Sequence, residues 1–291
     1  MSGDLHCHTR LSNGSLSIDE MIALAKSKGI ETIAITDHDC LTGTVRAKLI
    51  GERNGIKVII GAELSALDPE TKEVVHILCY LPEFPERLEE ICHHNTKARQ
   101  RASQYMMLKL SQRYSVTPEL IKRCATGAAN LFPQHFMQAL TEVGAADGFY
   151  GAVYEELFNP ASEGNIIMKP AFKDAKTVID AIHTANGIAV LAHPAKYGSA
   201  EVCERYLSYG IDGIEVWHPS ADEKTTDELL AFAKKNKILA TGGSSFHGLY
   251  NRGALTLGSF TTPKTQLQEL LGYKAKQKRL QKKAAAQQAE E

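Results

Sequence analysis

The sequence lacks the features that mark membrane and exported proteins. None of its apolar runs approaches the roughly 18 residues that a membrane-spanning helix needs. The N-terminal segment, Met1 to His6, has no basic stretch followed by an apolar one, which is the pattern of a secretory signal peptide. We therefore predict that the protein neither spans a membrane nor is exported, and we expect a cytoplasmic location.

Closely spaced cysteine pairs are also missing. The chain has six cysteines in 291 residues, and none of them forms a Cys-x-x-Cys pair. This spacing argues against a disulfide framework and against a zinc site built from thiolates. We predict reduced and mostly buried thiols at Cys7, Cys40, Cys79, Cys92, Cys124 and Cys203.

An excess of charge of either sign is absent as well. The 33 Lys and Arg residues nearly balance the 34 Asp and Glu residues, so the net charge is −1. Such a chain has no overall attraction for nucleic acid or anionic lipid, and any phosphate site must be built locally. The apolar fraction of 43% excludes a disordered chain and predicts a sizeable core in one large domain or two smaller ones.

Helical and strand patterns alternate along most of the chain. A helix at 18–28 ends at Gly29 and is followed by a short apolar run, 31–35, that leads into Thr36-Asp-His-Asp39. Further strands are predicted at 57–60, 74–80, 188–192, 213–217 and 238–241, with helices at 45–54, 175–186, 201–209 and 226–236. The alternation predicts an α/β protein whose parallel βα units close into a barrel, with its chemistry at the carboxyl ends of the strands.

One long segment breaks this alternation. Residues 85–169 contain a long helical pattern, 88–113, another around 134–143, and no convincing buried strand. We predict a helical insertion there, a barrel from 1–84 and 170–273, and a polar tail at 274–291 that is a frayed helix or disordered. Basic residues in the insertion, Lys97, Arg99 and Arg101, form either a solvated helix face or a set of groups that point toward a phosphate.

The histidines indicate a metal site. Four of the eleven, His93, His94, His183 and His218, have no evident partners, and we predict surface or capping roles for them. His6 and His8 share one face of an extended strand, where both can reach one ion. Each of five further residues falls at or near the end of a different predicted strand: His38, Glu63, His76, His193 and His247. Imidazoles with few carboxylates suit Zn²⁺, Fe²⁺ or Mn²⁺, and two or three such ions favour hydrolysis of phosphate esters.

The order of these motifs resembles the PHP (polymerase and histidinol phosphatase) family of metallo-phosphoesterases. The resemblance covers about residues 4–80 and 170–262, and Leu131 to Phe136 is similar to a segment of the helical insertion in one branch. That branch includes 3',5'-nucleotide bisphosphate phosphatases and 5'-to-3' exoribonucleases. The matching motifs are Asp4-Leu-His-Cys-His8, Thr36-Asp-His-Asp39, Gly61-Ala-Glu63, Val75-His-Ile77, Ala192-His-Pro194 and Gly243-Ser-Ser-Phe-His247.

The resemblance implies a distorted (β/α)7 barrel with a small helical inserted domain and three metal ions. His6, His8 and Glu63 would bind the first ion, His38 and His247 the second, and Glu63, His76 and His193 the third, with Asn13 and Ser245 also at ligand positions. The catalytic group would comprise Asp37, His38, Glu63, His193 and His247. The substrate would meet Asp39, Arg99, Arg101, His135, Lys196 and Trp217, although Trp217 is equally well explained as a packed rim aromatic.

Two positions depart from the family pattern. Asn13 and Ser245 stand where the family usually has aspartate ligands. With Glu63 as the only ligating carboxylate, repulsion between the cations would be severe, so we expect the third site to fill best and the other two to bind more weakly. The alternative is that both residues ligate adequately through neutral oxygens or through water.

The function predicted from these observations is hydrolysis of a nucleotide phosphate ester, or trimming of short RNA from the 5' end, with Mn, Fe or Zn. A phosphatase for histidinol phosphate is the alternative enzyme. The non-enzymatic alternative is a degenerate PHP module that binds nucleotide or metal without turnover, because two carboxylates are missing. No protein partner is indicated by the sequence.

Overall fold

The computed structural model describes residues 2–198 and 200–290. Within them, seven strands form a single mixed sheet that curls into a half-barrel, with the strands side by side in chain order. Their bounds are β1 (Asp4–Cys7), β2 (Thr32–Ile35), β3 (Lys57–Leu67), β4 (Val74–Tyr80), β5 (Ile188–Leu191), β6 (Gly213–Trp217) and β7 (Leu239–Gly242). The predicted fold class is confirmed by this architecture.

Strand β4 departs from the parallel arrangement that the sequence predicted. It runs antiparallel to both β3 and β5, whereas the other neighbouring pairs are parallel. The reversal is made by a short hairpin turn, in which the Asp68 carboxylate accepts hydrogen bonds from the backbone N–H groups of Glu70 and Thr71. As a result His76, near the start of β4, pairs with Ser65 of β3 and lies at the same end of the sheet as Glu63.

Helices cover the outer face of the sheet and form the segment between β4 and β5. Their bounds are α1 (Ile18–Ser27), α2 (Thr44–Asn54), α3 (Glu89–Arg113), α4 (Pro118–Cys124), α5 (Pro133–Glu142), α6 (Ala152–Phe158), α7 (Ala175–Thr184), α8 (Ala200–Ser208), α9 (Glu223–Asn236) and α10 (Lys264–Glu290). Helix α1 begins with a capping box, because Ser17 and Glu20 satisfy each other's backbone N–H groups. Helices α7, α8 and α9 pack their apolar faces on β3 to β6 and bury the largest core.

The segment from 85 to 169 has its own core. It contains α3 to α6 and no strand, and all of its residues are described. Apolar side chains from several of these helices pack together away from the sheet, including Leu110, Ile121, Phe136, Leu140 and Leu157, none of which is exposed to solvent. The insertion therefore packs around apolar contacts of its own.

The polar C-terminal segment belongs to α10, a single helix of 27 residues that begins at Lys264 and continues through the predicted tail. Leu267 and Leu270 of its first turns pack with apolar side chains of β1 to β5 and β7. All six cysteines are free. In the part of the chain that is described, no helix combines the length and the apolar character needed to cross a bilayer.

Candidate metal centre

The carboxylate of Glu63 lies at the centre of a cluster of histidines. Its Oε2 atom is 3.2 Å from His6 Nε2 and 3.1 Å from His8 Nε2. Its Oε1 atom is 3.1 Å from His76 Nδ1 and 3.0 Å from His193 Nε2. His38 Nδ1 is 3.4 Å from the same Oε2 atom, so Glu63, which is only 2% exposed, faces five imidazoles from four other strands or strand ends.

The ring nitrogens of these histidines are paired as metal ligands would be. His6 Nε2 lies 3.1 Å from His8 Nε2, and His76 Nδ1 lies 3.3 Å from His193 Nε2. Ligand atoms about 2.1 Å from a tetrahedral zinc ion are separated by about 3.4 Å. Glu63 Oε2 thus forms one triangle of donor atoms with His6 and His8, and Oε1 forms a second with His76 and His193. The sides of both donor triangles match the separations between ligand atoms around one metal ion. These residues fit two divalent ions bridged by Glu63.

A third group of donors adjoins the first triangle. Ring nitrogens of His8, His38 and His247 lie within 4.8 Å of one another, and the His8 ring stacks on His38 and His247 with centroid separations of 4.8 Å and 4.2 Å. The Nδ1 atoms of His8 and His38 are buried without a hydrogen-bond partner. Buried nitrogens without partners are costly unless something binds them, which supports a ligand role here.

Local backbone geometry holds the ligands at these positions. His193 adopts a φ of 33°, an unfavourable left-handed conformation, and its backbone N–H donates to Glu215 Oε2 at 2.9 Å. The loop after β1 passes so close to His8 that a Cβ on Gly14 would lie 2.2 Å from the His8 carbonyl oxygen. Only glycine fits there, and the loop turns directly over the ligand.

Glu215 is a site residue that the sequence reasoning missed. It is 1% exposed, and its Oε1 atom lies 2.9 Å from His6 Nδ1. A carboxylate that binds the outer nitrogen of a ligating histidine fixes the orientation of the ring and makes the other nitrogen a stronger donor. The available signal was a glutamate within an otherwise apolar strand, since such a group is rarely buried without a partner.

His218 is the second residue that was missed. We predicted a surface or capping role, and its Nδ1 atom does accept the backbone N–H of Ser220, but the residue is only 3% exposed. Its ring centroid is 5.9 Å from that of His6 and 5.2 Å from that of His193. The sequence signal was a His-Pro pair directly after β6, matching His193 and Pro194 after β5.

Protonation of the cluster is set by burial and by the two glutamates. Burial opposes a charge on His6, but Glu215 and Glu63 outweigh it and raise the pKa of His6 to about 10. Burial also raises the pKa of Glu63, yet the neighbouring histidines hold it well below its usual range. A metal ion at His6 Nε2 must displace a proton, so metal binding strengthens as the pH rises. Burial lowers the pKa of His8, His38, His193 and His247, which leaves these rings neutral with free lone pairs.

The two aspartates around His38 have their oxygens engaged. Asp37 accepts hydrogen bonds from Thr9 N, Thr9 Oγ1 and Ser12 Oγ at 2.8, 2.6 and 2.6 Å. Through these contacts Asp37 holds the loop after β1, and the catalytic role predicted for it stays a prediction. Asp39 accepts from Ser65 N, Ser65 Oγ and Asn95 Nδ2, and so fastens β3 to helix α3.

Of the two predicted arginines, helix α3 brings only Arg99 to the cluster. Its Nη2 atom donates to Ser65 Oγ at 2.7 Å and Asp39 Oδ2 at 3.2 Å, and its guanidinium carbon lies 4.6 Å from the ring centroid of Phe132. Phe132 in turn stacks on His38 with a centroid separation of 5.5 Å. Arg101 is exposed and about 200° further around the helix, so it does not face the site.

The remaining predicted substrate residues differ in position. The Nδ1 atom of His135 accepts the Phe132 N–H at the start of α5, and burial lowers its pKa to about 4. Lys196 is exposed on the turn after His193. Burial is the main cause of the lowered pKa values of His193 and His218, and the positive charge of Lys196 is the second cause. Trp217 packs against the main core because the register of β6 shifts between Glu215 and Trp217, so the packed-aromatic alternative describes it.

Asn13 and Ser245 lie in loops that contact each other beside the ligands. Asn13 is buried in the turn after His8. In the same loop, the backbone N–H of Ser15 donates to the His247 carbonyl oxygen at 3.0 Å. Ser245 is half-buried with a φ of 47°, and its carbonyl accepts the His247 Nδ1–H. Neither residue brings a negative charge, but Glu215 supplies one that the sequence analysis did not count.

Comparison with protein-family models gives a match to the PHP domain over residues 4–187. Among curated proteins, the phosphoribosyl 1,2-cyclic phosphate 1,2-diphosphodiesterase of Eggerthella lenta is 32% identical over 258 residues, which cover 87% of this chain and 96% of that protein. The 5'-3' exoribonuclease Rnm of Escherichia coli is 29% identical, and the alignment covers 84% of each chain. The 3',5'-nucleoside bisphosphate phosphatase of Chromobacterium violaceum is 27% identical, covering 84% of this chain and 86% of that one.

A solved structure has the same architecture. A protein from Bifidobacterium adolescentis, described as a metal-dependent phosphoesterase, superimposes with a TM-score of 0.83 at 26% identity. The superposition covers 92% of this chain and 95% of that one, so it includes both the curled sheet and the helical insertion.

Proposed function

The chain belongs to the PHP family and is a metal-dependent phosphoesterase, and from this premise we propose that it hydrolyses a phosphate ester on a ribose that carries a second phosphate. The names of the three relatives share this chemistry. They act on a phosphoribosyl cyclic phosphate, on RNA and on a nucleoside bisphosphate, each of which joins ribose to more than one phosphate or phosphodiester group. The proposal keeps the nucleotide and short-RNA substrates expected from the sequence and adds a phosphoribosyl compound.

The single observation that carries the proposal is the pair of donor triangles that share Glu63. We assign one ion to His6, His8 and Glu63, one to Glu63, His76 and His193, and one to His38 and His247 beside His8. The nitrogen-rich donor set favours Mn, Fe or Zn. Ions bound there would stabilise charge on the reacting phosphate and acidify a water molecule.

Residues of the chain itself would orient the cluster and the substrate. Glu215 fixes the His6 ring and the backbone at His193, and Asp37 holds the loop that carries Asn13. The Arg99 guanidinium lies over the Phe132 ring, which stacks on His38, and Lys196 lies on the turn after His193, so the insertion and the sheet each contribute one cation near the ligands. We assign them to the second phosphate, because charged donors make the strongest hydrogen bonds to phosphate oxygens.

We further propose a cytoplasmic location. The support is the presence of six free cysteines, three of them buried, since such thiols persist in a reducing compartment. The proposed partners are small phosphorylated molecules or short RNA.

The test compares four substrates on one preparation whose metal content is known. The protein is incubated with a nucleoside 3',5'-bisphosphate, phosphoribosyl 1,2-cyclic phosphate, a 5'-phosphorylated RNA tetramer and histidinol phosphate, and product release is measured. We expect turnover of at least one of the first three, and none with Glu63→Gln as the matched control. Turnover of histidinol phosphate alone would favour the alternative enzyme.

The missing carboxylates at positions 13 and 245 favour one other candidate, a module that binds without turnover. It predicts that the same preparation binds metal and inorganic phosphate but releases no product from any of the four compounds.

A further inference from the structure

One buried nitrogen beside the histidine cluster, Nε2 of His218, has no role among the proposed metal ligands. His218 Nε2 is shielded from solvent and has no hydrogen-bond partner in the described part of the chain. The ring lies beside both His6 and His193, and one of its nitrogens is within 4.8 Å of a His6 nitrogen and a Glu215 oxygen. A residue that is 97% buried leaves a donor or acceptor without a partner only at considerable cost, so the group calls for a ligand.

The hydrogen bonds of the ring identify which nitrogen carries the proton. The backbone N–H of Ser220 donates to His218 Nδ1 at 3.0 Å, so Nδ1 offers a lone pair. A neutral imidazole with a lone pair on Nδ1 carries its hydrogen on Nε2. His218 therefore holds a buried N–H group that no atom of the described residues accepts.

This tautomer excludes a metal-ligand role through Nε2. Ligating histidines present a lone pair to the ion and usually donate from the other nitrogen, which is the arrangement of His6 with Glu215. His218 has the reverse arrangement. Both oxygens of Glu215 are also occupied, one by His6 Nδ1 and one by the backbone N–H of His193, so Glu215 and His218 do not form a further ion site.

We infer that His218 is a substrate-binding residue that donates a hydrogen bond from Nε2 to an oxygen of the phosphate held by the metal cluster. The inference rests on the proposed function, because it requires a phosphate at the cluster. The Lys196 side chain lies near enough to His193 and His218 for its charge to act on both rings. The phosphate at the metal cluster would meet the Nε2–H group, and Lys196 would remain available for the second phosphate.

Two substitutions separate the two nitrogens of the ring. His218→Asn places an amide oxygen where Nδ1 accepts from Ser220 but leaves no donor at the position of Nε2. His218→Gln reaches further and keeps an N–H donor near that position. We expect His218→Asn to weaken binding of inorganic phosphate to the metal-loaded protein about tenfold and to raise KM similarly, with His218→Gln closer to wild type.

The measurements are calorimetric titration with inorganic phosphate, metal content by elemental analysis, and kcat and KM on the substrate found active. His183→Asn is the matched control, since His183 binds Asp212 on the outside of the sheet. Unchanged phosphate affinity in His218→Asn at full metal content would overturn the inference, and so would loss of metal, which would make His218 a ligand. Phosphate binding is measured without turnover, so the inference is tested even if every proposed substrate fails.

Discussion

The histidine cluster and the helical insertion face the same site but are built in different ways. The proposed ligands come from six of the seven strands or the loops that follow them, and the backbone hydrogen bonds of the sheet hold those strands in place. The insertion supplies Arg99 and Phe132 from helices that have a separate apolar core. Near the site, polar contacts of Asn95 and Arg99 with Asp39 and Ser65 join it to the sheet, and at its start Leu88 and Ile91 pack in the main core.

This difference indicates a division of labour. A strand end cannot move without breaking the sheet, so the spacing of metal ligands is a property of the half-barrel. A helix with its own core can be repositioned or replaced while the ligands stay in place. We therefore expect changes in the sheet to alter metal binding and changes in the insertion to alter substrate binding.

The largest effect should follow from replacing the shared ligand. Glu63→Gln keeps the shape of the side chain but removes the negative charge that both donor triangles share. We expect most of the metal to be lost and turnover to fall by more than about 100-fold, since changes even behind the ligands cost 10- to 100-fold. Elemental analysis and product release measure the two effects.

The control for this variant is His183→Ala, which removes an outer histidine and should leave both metal content and turnover close to wild type. Equal losses in the two variants would show that the cluster has been assigned to the wrong residues.

A comparably severe but different effect is expected from the core of the insertion. Phe136 is fully buried there, and Phe136→Ala should lower the free energy of unfolding by about 3–5 kcal/mol through loss of packing. Chemical denaturation measures the loss. Metal content should remain at the wild-type level, because the apolar cluster that contains Phe136 is built entirely from residues of the insertion.

Tyr105→Ala is the control, since Tyr105 is an exposed aromatic of the same insertion. If Phe136→Ala lost metal in proportion to stability, the two regions would not be separable in the way we describe.

Sequence reasoning predicted the two regions to different extents. Strands β4 and β6 were predicted with their observed bounds, because a short apolar run between turn residues has few alternatives. The end of β3 was missed, since Glu63 within it looks like a polar boundary. The reversal of β4 depends on a turn at Asp68 that carries no distinctive pattern. Arg99 and Arg101 look alike in the sequence, and they differ only in the direction in which each leaves helix α3.

The different positions of Arg99 and Arg101 around helix α3 lead to the third prediction. Arg99→Lys keeps a cation for the buried Asp39 but loses the planar donor pair and the stacking on Phe132. We expect KM to rise about tenfold with metal content unchanged. Arg101→Lys, two residues along the same helix, should change KM by less than about twofold. Steady-state kinetics on the two variants decide the matter, and similar values for both would remove Arg99 from the site.

The smallest effect concerns the two positions where a carboxylate is missing. Asn13 and Ser245 lie in the touching loops that follow His8 and precede His247, so a new carboxylate at either would face at least one divalent cation. Such an attraction exceeds the roughly 1 kcal/mol between exposed charges, which corresponds to at least about fivefold tighter binding. The φ of 47° at Ser245 is one that aspartate tolerates better than most residues, so Ser245→Asp should fold.

The comparison that isolates the charge uses neutral variants of the same shape. Asn13→Asp replaces only the side-chain amide nitrogen by a carboxylate oxygen, so wild type is its neutral control. Ser245→Asn is the neutral control for Ser245→Asp. Titration of Mn²⁺ into metal-stripped protein should show tighter binding in the two aspartate variants and not in Ser245→Asn. Unchanged affinity would mean that neutral oxygens, together with the negative charge of Glu215 behind His6, already balance the cations. Tighter metal without faster product release would separate metal affinity from catalysis, and would place the limit on turnover outside these two ligand positions.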